Sequence, residues 1–239
     1  RRIAPQLGRP RQTMLFSATM PAQMEELSRA YLSDPCRVQA APPGQAADRI
    51  TQSVHFLDKP GKPDKLREIL SRDTDALTLV FSRTKHGAEK LMKGLVADGY
   101  NAASIHGNKS QGQRDRALNA FRAGRVSVLV ATDVAARGID IPGVACVVNY
   151  DLPEVAENYV HRIGRTARAG LGGEAIALCS PEDADLLQRI ERLMKGPMPV
   201  ASGVAPKLQP GRGGQGGAGG RRSGAAPGGR RRGNRRRAA

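Results

Sequence analysis

The 239-residue sequence has no tryptophan and only four tyrosines and four phenylalanines. Its three cysteines, Cys36, Cys146 and Cys179, are too few and too scattered for a disulfide framework. We expect all three to be small buried residues in apolar segments, in a reducing, cytoplasmic compartment. No apolar run approaches the roughly 20 residues that span a bilayer. The first ten residues also lack the apolar core of a signal peptide.

Acidic residues are scarce: 22 stand against 38 basic ones, which gives a net charge of +16. Residues 198–239 contain one lysine, nine arginines and no acidic residue, so they carry +10 of that charge. The predicted partner is a polyanion, most commonly a nucleic acid. A membrane surface is a weaker alternative, because this segment lacks a stripe of large apolar residues. Its Gly, Arg, Pro and Ala composition cannot form a core and predicts a disordered basic tail.

Apolar strands alternate with amphipathic helices between residues 51 and 197. Strands are predicted at 78–82, 102–106, 126–131, 144–150 and 174–180. Helices are predicted at 84–98, from Ser110 as N-cap, near 154–163 and at about 182–194. This alternation predicts an α/β fold, a parallel sheet with helices on both faces. Ligands bind such sheets at the carboxyl ends of the strands, where most of the polar motifs lie.

The N-terminal residues follow a different pattern. Residues 12–19 are interpreted as a buried strand, residues 21–32 as a helix, and a short strand is predicted near Cys36. The chain is therefore divided into the end of a preceding domain (1–40), a linker (41–50), the α/β domain (51–197) and the tail (198–239).

The segment HRIGRTARAG, residues 161–170, contains Arg162, Arg165 and Arg168 at intervals of three. On a helical turn this spacing puts guanidinium groups at neighbouring positions. Three close cations repel one another unless an anion lies among them, and guanidinium groups match phosphate oxygens in bidentate pairs. A triphosphate is therefore the candidate ligand, and a solvated basic helix end is the alternative.

The segment VLVATDVAARGIDI, residues 128–141, is a buried strand followed by a polar turn. Thr132 can hydrogen-bond a phosphate, and Gly138 allows a ligand to approach the main chain. Asp140 suits a ribose hydroxyl, as acidic residues do in other nucleotide sites. We interpret Asp133 instead as a helix N-cap.

Three further loops follow strand ends and precede helices, at FSRTK (81–85), IHGN (105–108) and QGQR (111–114). Helix N-termini bind phosphates, and Gly107 permits close approach. Arg83, Lys85 and Arg114 supply positive charge. For any one loop, solvated basic side chains are an equal alternative. Three such loops on one sheet edge favour a nucleic-acid track.

Two other sets of residues carry weaker signals. Ser17 and Thr19, in SATMP, are small hydroxyl residues at the end of a predicted strand. No pair of histidines has the spacing of metal ligands, so we predict no metal site in the chain.

Together these segments resemble the DEAD-box RNA helicases. SAT (17–19), FSRTK, HGN with QGQR, ATDVAARGID and HRIGRTARAG are similar in order and spacing to motifs III, IV, IVa, V and VI. The resemblance covers about residues 11–197. The segment HGNKSQGQRDRALNAF and the arginine-rich tail are most similar to the bacterial RhlE-type branch.

The resemblance implies two RecA-like domains that close over ATP, with Mg²⁺, and over single-stranded RNA. It implies that Arg165 and Arg168 are arginine fingers on the γ-phosphate, and that Gly138 and Asp140 belong to the ATP site. His161 matches an interdomain contact near the active site.

The resemblance also implies a set of RNA contacts. The matching positions are Thr132, Gly107 and Arg114, with Arg83 and Lys85. Ser17 and Thr19 match the hydroxyls that link hydrolysis to strand separation.

One departure from the family pattern is visible, and two motifs are absent from the sequence. The usual form of the last motif is HRIGRTGR, and Ala167 replaces its second glycine, which we expect to be tolerated if the backbone stays helical. No G-x-x-x-x-G-K-[ST] and no D-E-A-D occur in the sequence; EDAD (182–185) belongs to the last helix. The P-loop and the Mg²⁺ ligands are therefore expected in an N-terminal RecA-like domain outside this sequence. The sequence does not begin with methionine and is interpreted as the C-terminal portion of a longer protein, with negligible ATPase activity alone.

Three alternatives remain open from the sequence. They are a DNA helicase of the same superfamily, a non-catalytic RNA-binding or chaperone module, and a basic ribosome-associated structural protein. The ordered motifs argue against the last of these. Ribosome-assembly and RNA-decay complexes are the candidate partner assemblies.

Overall fold

The computed structural model describes residues 6, 8, 10–17, 20, 22–38, 49–139, 141–168 and 172–206. Seven strands lie in this part of the chain: β1 (Ile50–Phe56), β2 (Leu77–Phe81), β3 (Ala102–Ile105), β4 (Val128–Ala131), β5 (Val144–Asn149), β6 (Gly173–Cys179) and β7 (Val200–Ser202). They form one sheet in the order β3-β4-β2-β5-β6-β1-β7, and every pairing is parallel. The predicted parallel α/β sheet is confirmed.

The helices between these strands begin at polar capping residues in two cases. The helices are α1 (Ala22–Tyr31), α2 (Lys62–Leu70), α3 (Lys85–Ala97), α4 (Gln111–Arg122), α5 (Asp133–Ala136), α6 (Ala156–Ile163) and α7 (Ala184–Met194), with 3₁₀ turns at Lys59–Gly61 and Pro181–Asp183. The Thr84 hydroxyl caps α3 by accepting from the Gly87 N–H. Ser110 and Gln113 form a reciprocal capping box at the start of α4, which confirms Ser110 as the predicted cap.

Helices cover both faces of the sheet, because successive strand residues point to opposite sides. One core cluster joins α2 and α3 to one side of the strands; it includes Leu66, Ala88, Leu95, Val80 and Val130. Two clusters fill the other side, with Phe121 of α4, Ala135 of α5, Tyr159 of α6 and Ile190 of α7 among their members. The central strands therefore read as continuous apolar runs because both of their faces are buried.

The predicted strands before residue 40 are wrong. Residues 11–17 have no regular secondary structure, and the large side chains of Met14 and Phe16 are 68% and 86% exposed. Residues 35–38 form no strand either, and Cys36 is exposed, whereas Cys146 and Cys179 are buried in β5 and β6 as expected. A strand needs a neighbouring strand to pair with and a layer to cover it, and the described residues offer this segment neither.

The sheet extends past the boundary that the sequence predicts at residue 198. Strand β7 pairs with β1, and the Val54 N–H donates to the Pro199 carbonyl at 2.9 Å. The His55 ring and the Ser202 hydroxyl are hydrogen-bonded at 2.7 Å between Nδ1 and Oγ. Residues 198–206 thus belong to the domain and not to a tail. The remainder of the predicted tail, from residue 207, and most of the predicted linker lie outside the described residues.

Candidate functional site

Four neighbouring strands end at the same edge of the sheet. Ile105 of β3 pairs with Ala131 of β4, Ala131 with Phe81 of β2, and Phe81 with Asn149 of β5. The loops that follow these strands are therefore adjacent. They contain most of the residues that the sequence singles out.

Arg162 in α6 is enclosed at the centre of this edge, with 2% of its surface exposed. Its Nε and Nη2 atoms donate to the two carboxylate oxygens of Asp133, at 2.6 and 2.9 Å. Its Nη1 atom donates to Asn149 Oδ1 at 3.1 Å and to the Asp151 carbonyl at 2.6 Å. The guanidinium also lies 4.9 Å from the centre of the Phe81 ring. This side chain ties β2, β5, α5 and α6 together, so its role is structural.

The partner of Arg162 corrects the interpretation of Asp133. Thr132 occupies the N-cap position of α5 without a side-chain capping bond, whereas Asp133 is the first residue of the helix and pairs with Arg162. A bidentate charge-assisted pair is stronger than a single capping bond, and it satisfies the buried arginine. The arginine spacing predicts an anion among the guanidinium groups. For Arg162 that anion is the carboxylate of Asp133 in the same chain.

The other two arginines lie beyond the end of α6. Arg165 donates through Nη1 to the Ile139 carbonyl and through Nε to the His161 carbonyl at 3.3 Å. Arg168 donates through Nε to the Gly164 carbonyl at 2.9 Å. These backbone contacts fix the base of each guanidinium close to the turn that follows α6.

Arg165 lines a small open pocket between α5 and α6, together with Arg137, His161, Asn158 and Ala136. The pKa of His161 is lowered, first by burial and then by the charges of Arg165 and Arg137. The guanidinium groups of Arg165 and Arg137 give this side of the pocket positive charge, which suits an anionic ligand such as a phosphate group.

The turn that carries Arg168 has a strained backbone. Ala167 adopts φ +55°, in the left-handed region that favours glycine, so the expectation of a helical backbone at this position is wrong. Strand β6 begins against the same turn. A Cβ atom on Gly173 would lie 2.2 Å from the Thr166 hydroxyl oxygen, so only glycine allows this approach.

The ribose side of the predicted nucleotide site is only partly described. Gly138 follows α5 with φ +75°, a conformation that explains the glycine, and no atom would obstruct a side chain there. Asp140 and Thr19 lie outside the described residues, and Ser17 is exposed in the irregular segment 11–17.

The predicted phosphate-binding loops are tied to one another. Lys85 at the start of α3 donates to the Asn108 side chain at 3.1 Å, beside the exposed Gly107. Arg114 of α4 donates through Nη2 to the Ala135 carbonyl at 3.1 Å, which joins α4 to α5. Thr132 is almost buried between these loops. The structure therefore brings four of the five predicted RNA contacts to one edge.

Arg83, the fifth, forms an ion pair within the domain although its side chain is 36% exposed. Its Nη2 atom donates to Asp183 at 2.7 Å, and Asp183 also accepts from the buried Lys62 at 3.3 Å. The Asp151 carboxylate accepts from the Arg83 backbone N–H at 2.9 Å and from the Ser82 hydroxyl at 3.1 Å. These contacts hold the loop after β2 in place, and the RNA contact of Arg83 stays a prediction.

Sequence reasoning missed several residues that shape this edge. Asn149 and Asp151 follow a buried strand, as the recognised motifs do, and that placement could have identified them. Lys62 and Glu89 lie in helices, where a charged residue indicates a solvated face and gives no signal of burial.

Neither a metal-binding cluster nor a membrane-spanning helix is found in the described part of the chain. The described residues contain no group of three or more His, Cys, Asp or Glu side chains that could hold a metal ion. None of the described helices is long and apolar enough to cross a bilayer.

Comparison with known families and proteins gives a consistent result. Residues 61–170 match the family model described as "Helicase conserved C-terminal domain". The chain is 43% identical over 188 residues to the pre-mRNA-splicing ATP-dependent RNA helicase PRP28 of Pyricularia oryzae, covering 78% of this chain and 28% of that protein. It is 41% identical over 237 residues to the ATP-dependent RNA helicase DBP2 of Saccharomyces cerevisiae, covering 92% and 43%. The chain thus spans less than half the length of these relatives.

Solved structures agree with the sequence matches. The Escherichia coli DEAD-box protein SrmB, bound to regulator of ribonuclease activity A, is 39% identical with a TM-score of 0.60; the match covers 67% of this chain and 96% of that one. The S. cerevisiae protein Dbp5, bound to RNA and ADP BeF₃, is 31% identical with a TM-score of 0.75, over 84% of this chain and 54% of that one.

Proposed function

Because the chain belongs to the DEAD-box RNA helicase family, whose C-terminal helicase domain it carries, we propose that it is the second RecA-like lobe of an enzyme that couples ATP hydrolysis to RNA unwinding. The lobe binds the backbone of RNA and completes an ATP site whose other part belongs to a preceding domain. The observation that carries the proposal is that Arg165 and His161 line one pocket with Arg137, while the loops that carry Gly107 and Thr132 follow strands that end together at one edge of the sheet.

Arg165 and Arg168 are the residues that would hold the terminal phosphate. The Nε atoms of both side chains donate to backbone carbonyls, and the positive charges of Arg165 and Arg137 beside His161 suit a triphosphate. Gly138 and Asp140 would face the ribose. ATP supplies the phosphoryl group and the binding energy for closure of the two lobes, and Mg²⁺ would be bound by carboxylates of the preceding domain.

RNA would lie along the loops after β2, β3 and β4. Gly107, Lys85, Arg114 and Thr132 offer backbone N–H groups, a hydroxyl and positive charge, all of which suit phosphate oxygens. Contacts of this kind carry little base information, so we expect low sequence preference and selection of RNA through the 2′-OH. The arginine-rich segment 207–239 would add sequence-independent affinity.

The N-terminal segment would belong to the preceding domain. The exposed side chains of Met14 and Phe16 support this, since two large apolar side chains close together in the chain suit contact with another surface. Ser17 and Thr19 would then connect that domain to this one. Membership of the RhlE-type branch, a cytoplasmic location and partners in ribosome assembly or RNA decay remain parts of the proposal.

The arginine-finger role is tested by joining this chain to the first helicase domain of the yeast DBP2 relative. RNA-stimulated ATP hydrolysis is then measured for the parent and for Arg165→Ala and Arg168→Ala. Each variant should lose at least about 100-fold in kcat, because such arginines stabilise the transition-state charge. Arg192→Ala, at an exposed position of α7, is the matched control and should retain activity. Full activity in both finger variants would contradict the proposal.

A further inference from the structure

Glu89, in the middle of α3, collects hydrogen bonds from three side chains of the neighbouring strand and loop. A single oxygen, Oε2, accepts from the Ser104 hydroxyl at 2.7 Å, from His106 Nε2 at 3.0 Å and from Lys109 Nζ at 2.9 Å. Ser104 lies in β3, and His106 and Lys109 lie at the two ends of the loop between β3 and α4. The carboxylate therefore spans the loop that contains Gly107.

The contact with His106 fixes the ring and, through it, the loop backbone. The ring is buried, and its Nδ1 atom accepts from the Asn108 backbone N–H at 3.3 Å. This arrangement requires the proton on Nε2, where Glu89 accepts it. Lys85, one turn before Glu89, also reaches the loop by donating to the Asn108 side chain. Helix α3 thus holds both sides of Gly107.

Glu89 is ionised under all ordinary conditions. Its pKa is lowered to about 2, mainly by the hydrogen bond from His106 and then by those from Ser104 and Lys109. The side chain is 28% exposed, so the carboxylate is close to the surface along which we propose that RNA lies.

We propose that Glu89 is a positioning residue for RNA binding, which holds the loop at residues 106–109 so that the exposed backbone of Gly107 meets a phosphate. The Asn108 and Lys109 N–H groups donate to His106, and these bonds keep the loop in its shape. The inference rests on the proposed function, since it assigns how one of the RNA contacts is formed. Glu89 acts through His106 and Lys109 and does not itself touch RNA.

The sign of the expected effect separates positioning from simple electrostatics. Removal of a negative charge near a polyanion should strengthen binding if Glu89 only adds to the local potential. Under the proposal the same change weakens binding, because a loosened loop must be ordered when RNA binds.

The test follows the backbone amide resonances of residues 107–109 in the full ¹⁵N-labelled chain during titration with a short single-stranded oligouridylate. Residue-specific signals separate binding at this loop from binding elsewhere in the chain. For Glu89→Gln, the RNA concentration at half-saturation of these shifts should rise about three- to tenfold, which corresponds to one or two lost hydrogen bonds. Glu89→Asp keeps the charge and should recover part of the affinity.

Glu68→Gln is the matched control, because it removes the same charge from an exposed ion pair on α2. It should leave the midpoint unchanged or lower it. If Glu89→Gln is unfolded at the temperature of measurement, Ser104→Ala removes one of the three donors without a change of charge and should still raise the midpoint about twofold.

The outcomes distinguish this inference from the proposed function. If RNA shifts none of these amides in the parent chain, the proposed RNA role of the loop fails, and the inference with it. If the parent responds but Glu89→Gln binds equally well or more tightly, only the positioning role is overturned. A lower affinity of Glu68→Gln equal to that of Glu89→Gln would also overturn it.

Discussion

Arg162 and Arg165 are three residues apart, but they differ in burial and in hydrogen-bond partners. The guanidinium of Arg162 donates hydrogen bonds to Asp133, Asn149 and a backbone carbonyl, and it is buried. Both side chains line the open pocket beside Arg137, but Arg165 is only partly buried. A buried pair of this kind fixes the strand ends and α6 relative to each other, so it sets the position from which Arg165 and Arg168 project.

Ala167 provides a prediction at the scale of one residue. Its φ of +55° costs an L-residue about 1–2 kcal/mol of strain, which a glycine would relieve. The greater conformational freedom of glycine in the unfolded chain would offset part of this gain. We expect Ala167→Gly to raise the free energy of unfolding by about 0.5–1 kcal/mol, measured by urea denaturation. The same change at Ala117, inside α4, should lower it by about 1 kcal/mol. Equal destabilisation by both would show that residue 167 is unstrained.

Sequence reasoning reached the residue types of the site but not all of their partners. It singled out Arg165, Arg168 and Gly107 from the arginine spacing and from a glycine that follows a strand, and their roles stay predictions. It misread Asp133 because the competing interaction comes from a residue 29 positions later, and nothing local indicates which carboxylate a distant arginine will meet. The carboxylate that Arg83 meets lies 100 positions later and is likewise not indicated by its sequence neighbours.

At the scale of elements, prediction succeeded where both faces of a strand are buried. The runs that became β2, β4, β5 and β6 are long and apolar, so their identity depends little on context. Prediction failed where the formation of a strand depends on its tertiary neighbours. The apolar residues at 12–17 form no strand here, and β7 was missed because its three residues are mostly exposed and follow two prolines.

The edge strand β7 gives a prediction at this scale. Gly203 ends it with φ +81°, and a Cβ atom there would lie 2.0 Å from the Phe56 carbonyl oxygen. Gly203→Ala should therefore detach β7 and speed hydrogen exchange of the Val54 amide, which donates to the Pro199 carbonyl, at least about tenfold. Gly99 is the matched control, because it has φ +90° but open space around it. Gly99→Ala should cost about 1 kcal/mol of strain and leave Val54 protected; faster exchange in both would contradict the clash.

At the scale of the whole molecule, positive charge is divided between two kinds of segment. In the folded domain, basic side chains such as Lys85 and Arg114 are held by hydrogen bonds at the sheet edge, which suits contacts of defined geometry. In residues 207–239, ten basic residues occur with no acidic residue and no aromatic one. Such a segment can release counterions from RNA but offers no ring on which a base could stack.

This division predicts how RNA binding depends on salt. Each phosphate that a basic residue neutralises contributes about 0.7 to the slope of log K against log salt for a single strand, so deletion of residues 207–239 should reduce that slope by up to about 7 and weaken binding at low salt. Fluorescence anisotropy of a labelled oligoribonucleotide at several salt concentrations measures it. A chain of full length with the nine arginines of this segment changed to glutamine is the matched control, and it should behave like the deletion because charge, not length, is responsible. If the deletion lowers affinity while the slope stays that of the parent chain, the segment acts through something other than its charge, and the folded domain alone would have to account for the electrostatic part of binding.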